Sequence, residues 1–174
     1  MAQMSLAELA AFVWSHLIKY GIRCVLSGGA CVSIYTSNRY QSYDLDFVET
    51  IPTRRAKIKE ALAVFGFYEE NRYFKHKDSI FFLEFPTGPL SIGSEPVKEI
   101  VTIELSTGSL ALLSPTDCVK DRLAAYYHWH DLQCLEQAIM VASSNKIDIE
   151  EIQRWSRIEN KMAEFDKIKS KLQR

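Results

Sequence analysis

Apolar residues recur at helical spacing from the start of the chain. Leu6, Leu9, Phe12, Val13, Leu17 and Ile18 mark one face, Ser5 and Glu8 form a capping box ahead of it, and Gly21 supplies a stop. Residues 23–26 are a short apolar run that leads into Ser27-Gly28-Gly29, a strand ending in a glycine turn. The following ACVSIYTS predicts a short helix closing near Asn38. DLDFVE, at 44–49, alternates polar and apolar with period 2 and predicts a strand. Thr53 opens a helix through RRAKIKEALAVF that ends at Gly66.

Aromatic-rich strands follow at 67–68, 73–75 and 80–85, separated by charged turns, and 86–93 is a Gly/Pro loop. Residues 101–105 and 110–113 predict a hairpin around Thr107-Gly108. From Ser114 the pattern turns helical: Ser114 caps, Pro115 takes the first helical position, and helices are expected at 116–129, 132–143 and 149–172. The order predicts an α/β or α+β chain, with a sheet-bearing core over 1–113 and a helical C-terminal part over 114–174 packed on it.

Composition narrows the classes without choosing among them. With 174 residues, 47% hydrophobic and 25% charged, the chain is an ordinary globular one that buries a core without a disulfide or metal staple. Lys+Arg 21 against Asp+Glu 22 leaves a net charge of -1, so any polynucleotide contact must come from a local patch. Four cysteines carry no C-x-x-C pair, and Cys24, Cys31 and Cys118 lie among apolar residues. That usage fits free thiols in a reducing cytoplasm and argues against zinc. The first residues include Glu8 and lack a basic leader segment, and the uncharged stretch 24–38 is too short and polar to span a bilayer. The expectation is a soluble cytoplasmic protein with no membrane partner.

The informative segment is VLSGGACVSIYTSNRYQSYDLDFVE, residues 25–49. Its strand feeds Gly28-Gly29 at a helix start, where free N–H groups and the positive dipole end suit a phosphate; a plain tight turn is the alternative. It is neither a P-loop nor a dinucleotide fingerprint. Farther on, Asp44 and Asp46 stand at i and i+2 of a strand and project to the same face. Two carboxylates so close repel unless a cation lies between them, and such oxygen donors suit Mg²⁺. An acidic outer face on an exposed strand is the bland alternative.

Gly-Gly at a helix start followed by S-x-D-L-D-F on the next strand resembles the signature of the DNA polymerase beta-like nucleotidyltransferase superfamily. Within it the chain looks like the abortive-infection (type IV toxin–antitoxin) nucleotidyltransferases and their small relatives. The likeness is good over 26–49, looser over 114–137 and architectural between them. It implies the mixed-sheet nucleotidyltransferase fold, an NTP substrate, Mg²⁺, and transfer of a nucleoside monophosphate to an acceptor hydroxyl on RNA, protein or a small molecule. It also implies a toxin-type role with an antitoxin partner. On this reading Ser27, Gly28 and Gly29 hold the triphosphate and Asp44 and Asp46 ligate metal. A third carboxylate, Glu84 in preference to Glu104, completes the catalytic and metal set, because the Pro-Thr-Gly-Pro loop after Glu84 would border a cleft.

The helix after Ser114 should bring a basic residue to the phosphates. Lys120 and Arg122 are the candidates, and their helical spacing lets only one face the site. Asp131 is either a further nucleotide contact or a plain N-cap. His128 and His130 do not share a helix side, which argues against a metal pair. Residues 153–174 are locally basic on one face and apolar on the other. That pattern fits a docked helix with solvated charges, or a strip that follows an RNA backbone. A non-catalytic module that binds a nucleotide or a partner protein is the rival functional class.

Overall fold

The computed structural model describes residue 1 and residues 3–173. Helix α1 (Leu6–Lys19) opens with the expected reciprocal cap: Ser5 Oγ accepts the Glu8 N–H at 3.3 Å, and Glu8 accepts the Ser5 N–H at 2.9 Å. Strand β1 (Cys24–Ser27) then passes directly into α2 (Gly28–Tyr35), and β2 (Asp44–Glu49) occupies the DLDFVE segment. Helix α2 closes at Tyr35, earlier than the pattern predicts, because Ser37 and Asn38 take positive φ of 50° and 62°.

Helix α3 (Arg55–Ala63) starts after Arg54 rather than at Thr53. The Thr53 hydroxyl goes to the Ile51 carbonyl and its N–H goes to Glu49, so it does not cap. Three short strands follow: β3 (Tyr68–Glu70), β4 (Tyr73–Lys75) and β5 (Phe82–Glu84). The Gly/Pro segment contains a small hairpin, β6 (Ser91–Ile92) with β7 (Glu95–Pro96), turning at Gly93 with φ +60°. Strands β8 (Ile100–Leu105) and β9 (Gly108–Leu113) form the predicted hairpin.

Among the described residues the strands build a seven-stranded mixed sheet in the order β3-β4-β5-β2-β1-β9-β8. β2 lies antiparallel to β1 and parallel to β5, and β1 lies parallel to β9. This is a mixed-sheet α/β architecture, as the sequence implied. Helix α1 rests on β9, while α2 lies against β1 and β2.

The helices after Ser114 are α4 (Pro115–Trp129), α5 (Leu132–Ser144), α6 (Ile149–Ile158) and α7 (Met162–Leu172). Ser114 caps α4 through the Asp117 N–H at 3.1 Å. The single helix expected over 149–172 is broken in two. Asn160 takes φ +58°, a left-handed turn that asparagine tolerates and a continuous helix does not. The bend folds α7 back, so that Trp155 and Phe165 are both fully buried. One apolar cluster runs from Leu6 to Leu172 and joins the sheet to the terminal helices. All four cysteines are free and buried. Among the described residues no helix is long and apolar enough to cross a membrane.

Candidate active site

The alternation of β2 sorts its side chains. Leu45 and Phe47 are fully buried on one face, while Asp44 and Asp46 leave the other, half-buried. β5 runs parallel beside it with Asp44 level with Phe82 and Asp46 level with Glu84. Residues level across a pair share a face, so three carboxylates, Asp44, Asp46 and Glu84, stand together. Glu104, the other candidate, lies on the edge strand β8, separated from β2 by β1 and β9, where it accepts the Ser109 hydroxyl at 2.9 Å. Burial, with Asp44 and then Glu84 beside it, pushes the Asp46 carboxyl up to about 7.

The glycines answer to these carboxylates. Gly28 has φ +68°, and a Cβ there would lie 2.3 Å from Asp46 Oδ2. A Cβ on Gly29 would meet Ser42 Oγ at 3.0 Å. Absence of side chains therefore lets the start of α2 press against the acidic face. Ser42 is buried and acts as a clamp: its hydroxyl donates to Asp44 Oδ1, and its own N–H is held by Ser33 Oγ at 2.8 Å. Ser27 sits level with Asp46 and donates to its carbonyl at 3.3 Å. Ser27, Gly28 and Gly29, the expected phosphate residues, thus lie beside the carboxylates.

A cavity of about 260 Å³ continues from Ser27 and Val48 toward Thr87, Leu90, Ile92 and Asp121. One wall is the segment from Thr87 to Ile92, and the terminal helices fasten the β6–β7 hairpin that this segment enters. Trp155 Nε1 donates to the Ile92 carbonyl at 3.2 Å, Arg154 pairs with Glu95 at 2.5 Å, and Ser94 donates to Glu159 at 2.6 Å. Arg154 therefore braces the hairpin, while Lys161 pairs with Glu164 of its own helix at 3.2 Å. Of the basic strip expected to follow RNA, Arg157, Lys167 and Lys171 are exposed, Lys169 donates to Gln153 at 2.9 Å, and Arg174 lies outside the described residues.

The two basic candidates of α4 part company. Arg122 pairs with Asp121 at 2.5 Å, reaches Gln137 at 3.4 Å, and its charge is felt by Asp46. Lys120, by contrast, is buried against Asp117 at 2.7 Å and Glu151 at 3.2 Å, away from the carboxylate face. The two residues are about 200° apart around the helix, and the side that received Lys120 is the α6 side, so of the two alternatives Arg122 is the one turned toward the carboxylates. Asp131 accepts the Cys134 N–H at 3.0 Å and is the N-cap of α5. His128 faces Glu159 at 3.4 Å, and His130 closes α4 in a left-handed conformation.

Arg72 is the site residue that sequence reasoning missed. Its Nε lies 3.2 Å from Glu84 Oε1, its Nη2 donates to Tyr73 OH at 2.6 Å, and its guanidinium covers the Tyr73 ring at 4.8 Å. Only the register that sets Tyr73 beside Glu84 brings it there. Asn71-Arg72 reads as a charged turn in the sequence, with no signal of a site. Among the described residues no three His, Cys, Asp or Glu side chains close around a common point: Glu84 turns to Arg72 and Asp44 to Ser42. The donor set is nonetheless hard carboxylate oxygen, mutually repelling and raised in proton affinity at Asp46, which is the chemistry Mg²⁺ takes.

Sheet order and the helix springing from Gly28 match solved structures of nucleotidyltransferase-like proteins, and the chain has that fold. It resembles an antigenic nucleotidyltransferase-like protein from Paracoccidioides brasiliensis with a TM-score of 0.65 at 14% identity, over 96% of this chain and 91% of that one. It also resembles the antibiotic-resistance factor ANT(2'')-Ia in solution, with a TM-score of 0.55 at 12% identity, over 99% and 96% of the two chains. ANT(2'')-Ia in complex with adenylyl-2''-tobramycin gives 0.53 at 13% identity, over 93% and 97%. No family model and no curated protein sequence matches the chain.

Proposed function

We propose that this protein is a Mg²⁺-dependent nucleotidyltransferase that moves a nucleoside monophosphate from an NTP to an acceptor hydroxyl. The observation that supports the reading is the set Asp44, Asp46 and Glu84 on one face of adjacent strands, with the first turn of α2 against it. Asp44 and Asp46 would hold the metal, with Glu84 as third ligand. Bound Mg²⁺ supplies charge stabilisation to the attacking and leaving oxygens of an in-line displacement.

The chain's own groups do the rest. Ser42 fixes the Asp44 carboxylate, so that one ligand is oriented before substrate arrives. The backbone N–H groups opening α2 at Gly28 and Gly29, with Ser27, meet the triphosphate, and Arg122 adds positive charge from α4. Glu84 accepts the proton of the acceptor hydroxyl. The acceptor oxygen bonds to the α-phosphorus, the bond to the bridging oxygen breaks, and pyrophosphate leaves. The adenylyl-2''-tobramycin complex of ANT(2'')-Ia supports a small-molecule acceptor; RNA and protein acceptors rest on the sequence resemblance alone.

One observation favours a second reading. Arg72 sits on the third carboxylate where a ligand-ready cluster would leave it open, as a non-catalytic nucleotide- or partner-binding module would. Purified protein with Mg²⁺ and labelled NTPs decides between them. The enzyme transfers label to RNA, protein or a small acceptor and releases pyrophosphate, and the double variant Asp44→Ala, Asp46→Ala does neither. NTP uptake without pyrophosphate release identifies the binding module, and equal labelling by the double variant sinks the metal-clamp assignment.

A further inference from the structure

Arg72 lies at the rim of the acidic face under conditions that suit exchange rather than permanent pairing. It sits at the tight turn between β3 and β4, where Asn71 has φ +57°, so its backbone is held by the hairpin while its side chain is 69% exposed. Glu84, its partner, is only 18% exposed. Breaking the pair therefore moves one exposed side chain and unpacks nothing.

The guanidinium also has a second resting place. It touches Glu84 through Nε but Tyr73 OH through Nη2, and it lies over the Tyr73 ring. Dropping Glu84 leaves the hydrogen bond and the cation–π contact intact. Tyr73 is itself braced edge-on by Phe82, the neighbour of Asp44 across the strands. A single pair whose cation is solvent-exposed binds weakly, whereas a divalent ion gains from several carboxylates at once.

We propose that Arg72 is a built-in counter-ion of the carboxylate face, one that neutralises Glu84 in the metal-free protein and gives it up to a divalent cation. Metal loading and the release of Glu84 by Arg72, which stays on Tyr73, are then a single event, and Arg72 sets how much divalent cation the site requires. This rests on the metal-site reading above. The exchange is electrostatic: one positive charge leaves Glu84 as another arrives, and no bond is made or broken.

Mn²⁺ binding to the full chain without nucleotide, followed by the loss of the free-ion paramagnetic signal, tests it. Arg72→Gln is expected to bind Mn²⁺ about threefold to tenfold more tightly than the unaltered protein, since a competitor on one ligand has been removed. Arg72→Lys keeps the charge and stays within about twofold of the unaltered protein. Equal affinities in the Arg72→Gln and unaltered proteins, with binding that Asp44→Asn and Asp46→Asn abolish, overturn the exchange and leave the metal site standing. No Mn²⁺ binding by either protein overturns both. Arg72 is exposed, so loss of folding is not expected, and far-ultraviolet circular dichroism of each variant checks this.

Discussion

Asp46→Asn should make the metal-free protein more stable, and by an amount that depends on pH. The folded protein holds the Asp46 proton up to about 7, against an ordinary 3.8, through burial and through Asp44 and Glu84. Its folded value thus lies above its unfolded one. The stabilisation is fully present below about pH 4, and it is lost as pH rises to about 7 while the unfolded chain alone has released the proton. Each pH unit in that window removes about 1.4 kcal/mol, so the step from pH 5 to pH 8 costs the unaltered protein about 3 kcal/mol. Asparagine keeps the shape and cannot ionise, so the variant escapes this loss. At about 2–4 °C per kcal/mol for a chain of this size, the Tm advantage of the variant should grow by roughly 6–12 °C between the two pH values. Thermal melts in chelator at pH 5, 6, 7 and 8 measure it. The remaining titrating groups are common to both proteins, so the difference curve reports Asp46 together with its coupling to Asp44 and Glu84. Parallel Tm profiles across the range would refute the claim that burial and the neighbouring carboxylates raise the proton affinity of Asp46.

Gly28→Ala should destabilise the fold by about 1–3 kcal/mol through its left-handed φ alone. The clash with Asp46 Oδ2 at 2.3 Å adds to this and pushes that carboxylate out of place, so a melting curve and Mn²⁺ affinity should fall together. Lys120→Met leaves Asp117, 4% exposed, without its amine, and should cost about 3–5 kcal/mol in denaturant unfolding. A stability unchanged by that substitution would return Lys120 to the substrate. The reverse assignment is checked with Arg122→Met, which should weaken NTP binding in calorimetry.

Elements whose signals lie within a few residues were legible from the sequence. The Ser5–Glu8 and Ser114–Pro115 caps, the alternation of β2, and the resemblance carried by Gly28-Gly29 with Asp44 and Asp46 all rest on contacts or spacings inside one segment. Their physics is local: a cap hydrogen bond or a period of 2 does not need the rest of the chain. Errors came where a local pattern met a constraint from elsewhere. The apolar period of 149–172 runs on unbroken, yet the chain bends at Asn160, because burying both Trp155 and Phe165 in one core requires it.

The amino-acid order by itself determined that two aspartates share a face beside a glycine-started helix, because backbone periodicity fixes side-chain direction without any partner. Which distant groups joined them was decided by assembly. Glu84 and Glu104 are alike in sequence, both alternating in apolar strands, and only the pairing of β5 with β2 separates them. Lys120 and Arg122 were divided by the docking of α6 and α5 on opposite sides of α4. Arg72 reached the site because β4 pairs with β5 in one register. Strand registers and helix docking are set by how the whole core closes, and that information is spread over the entire chain rather than written at any one position.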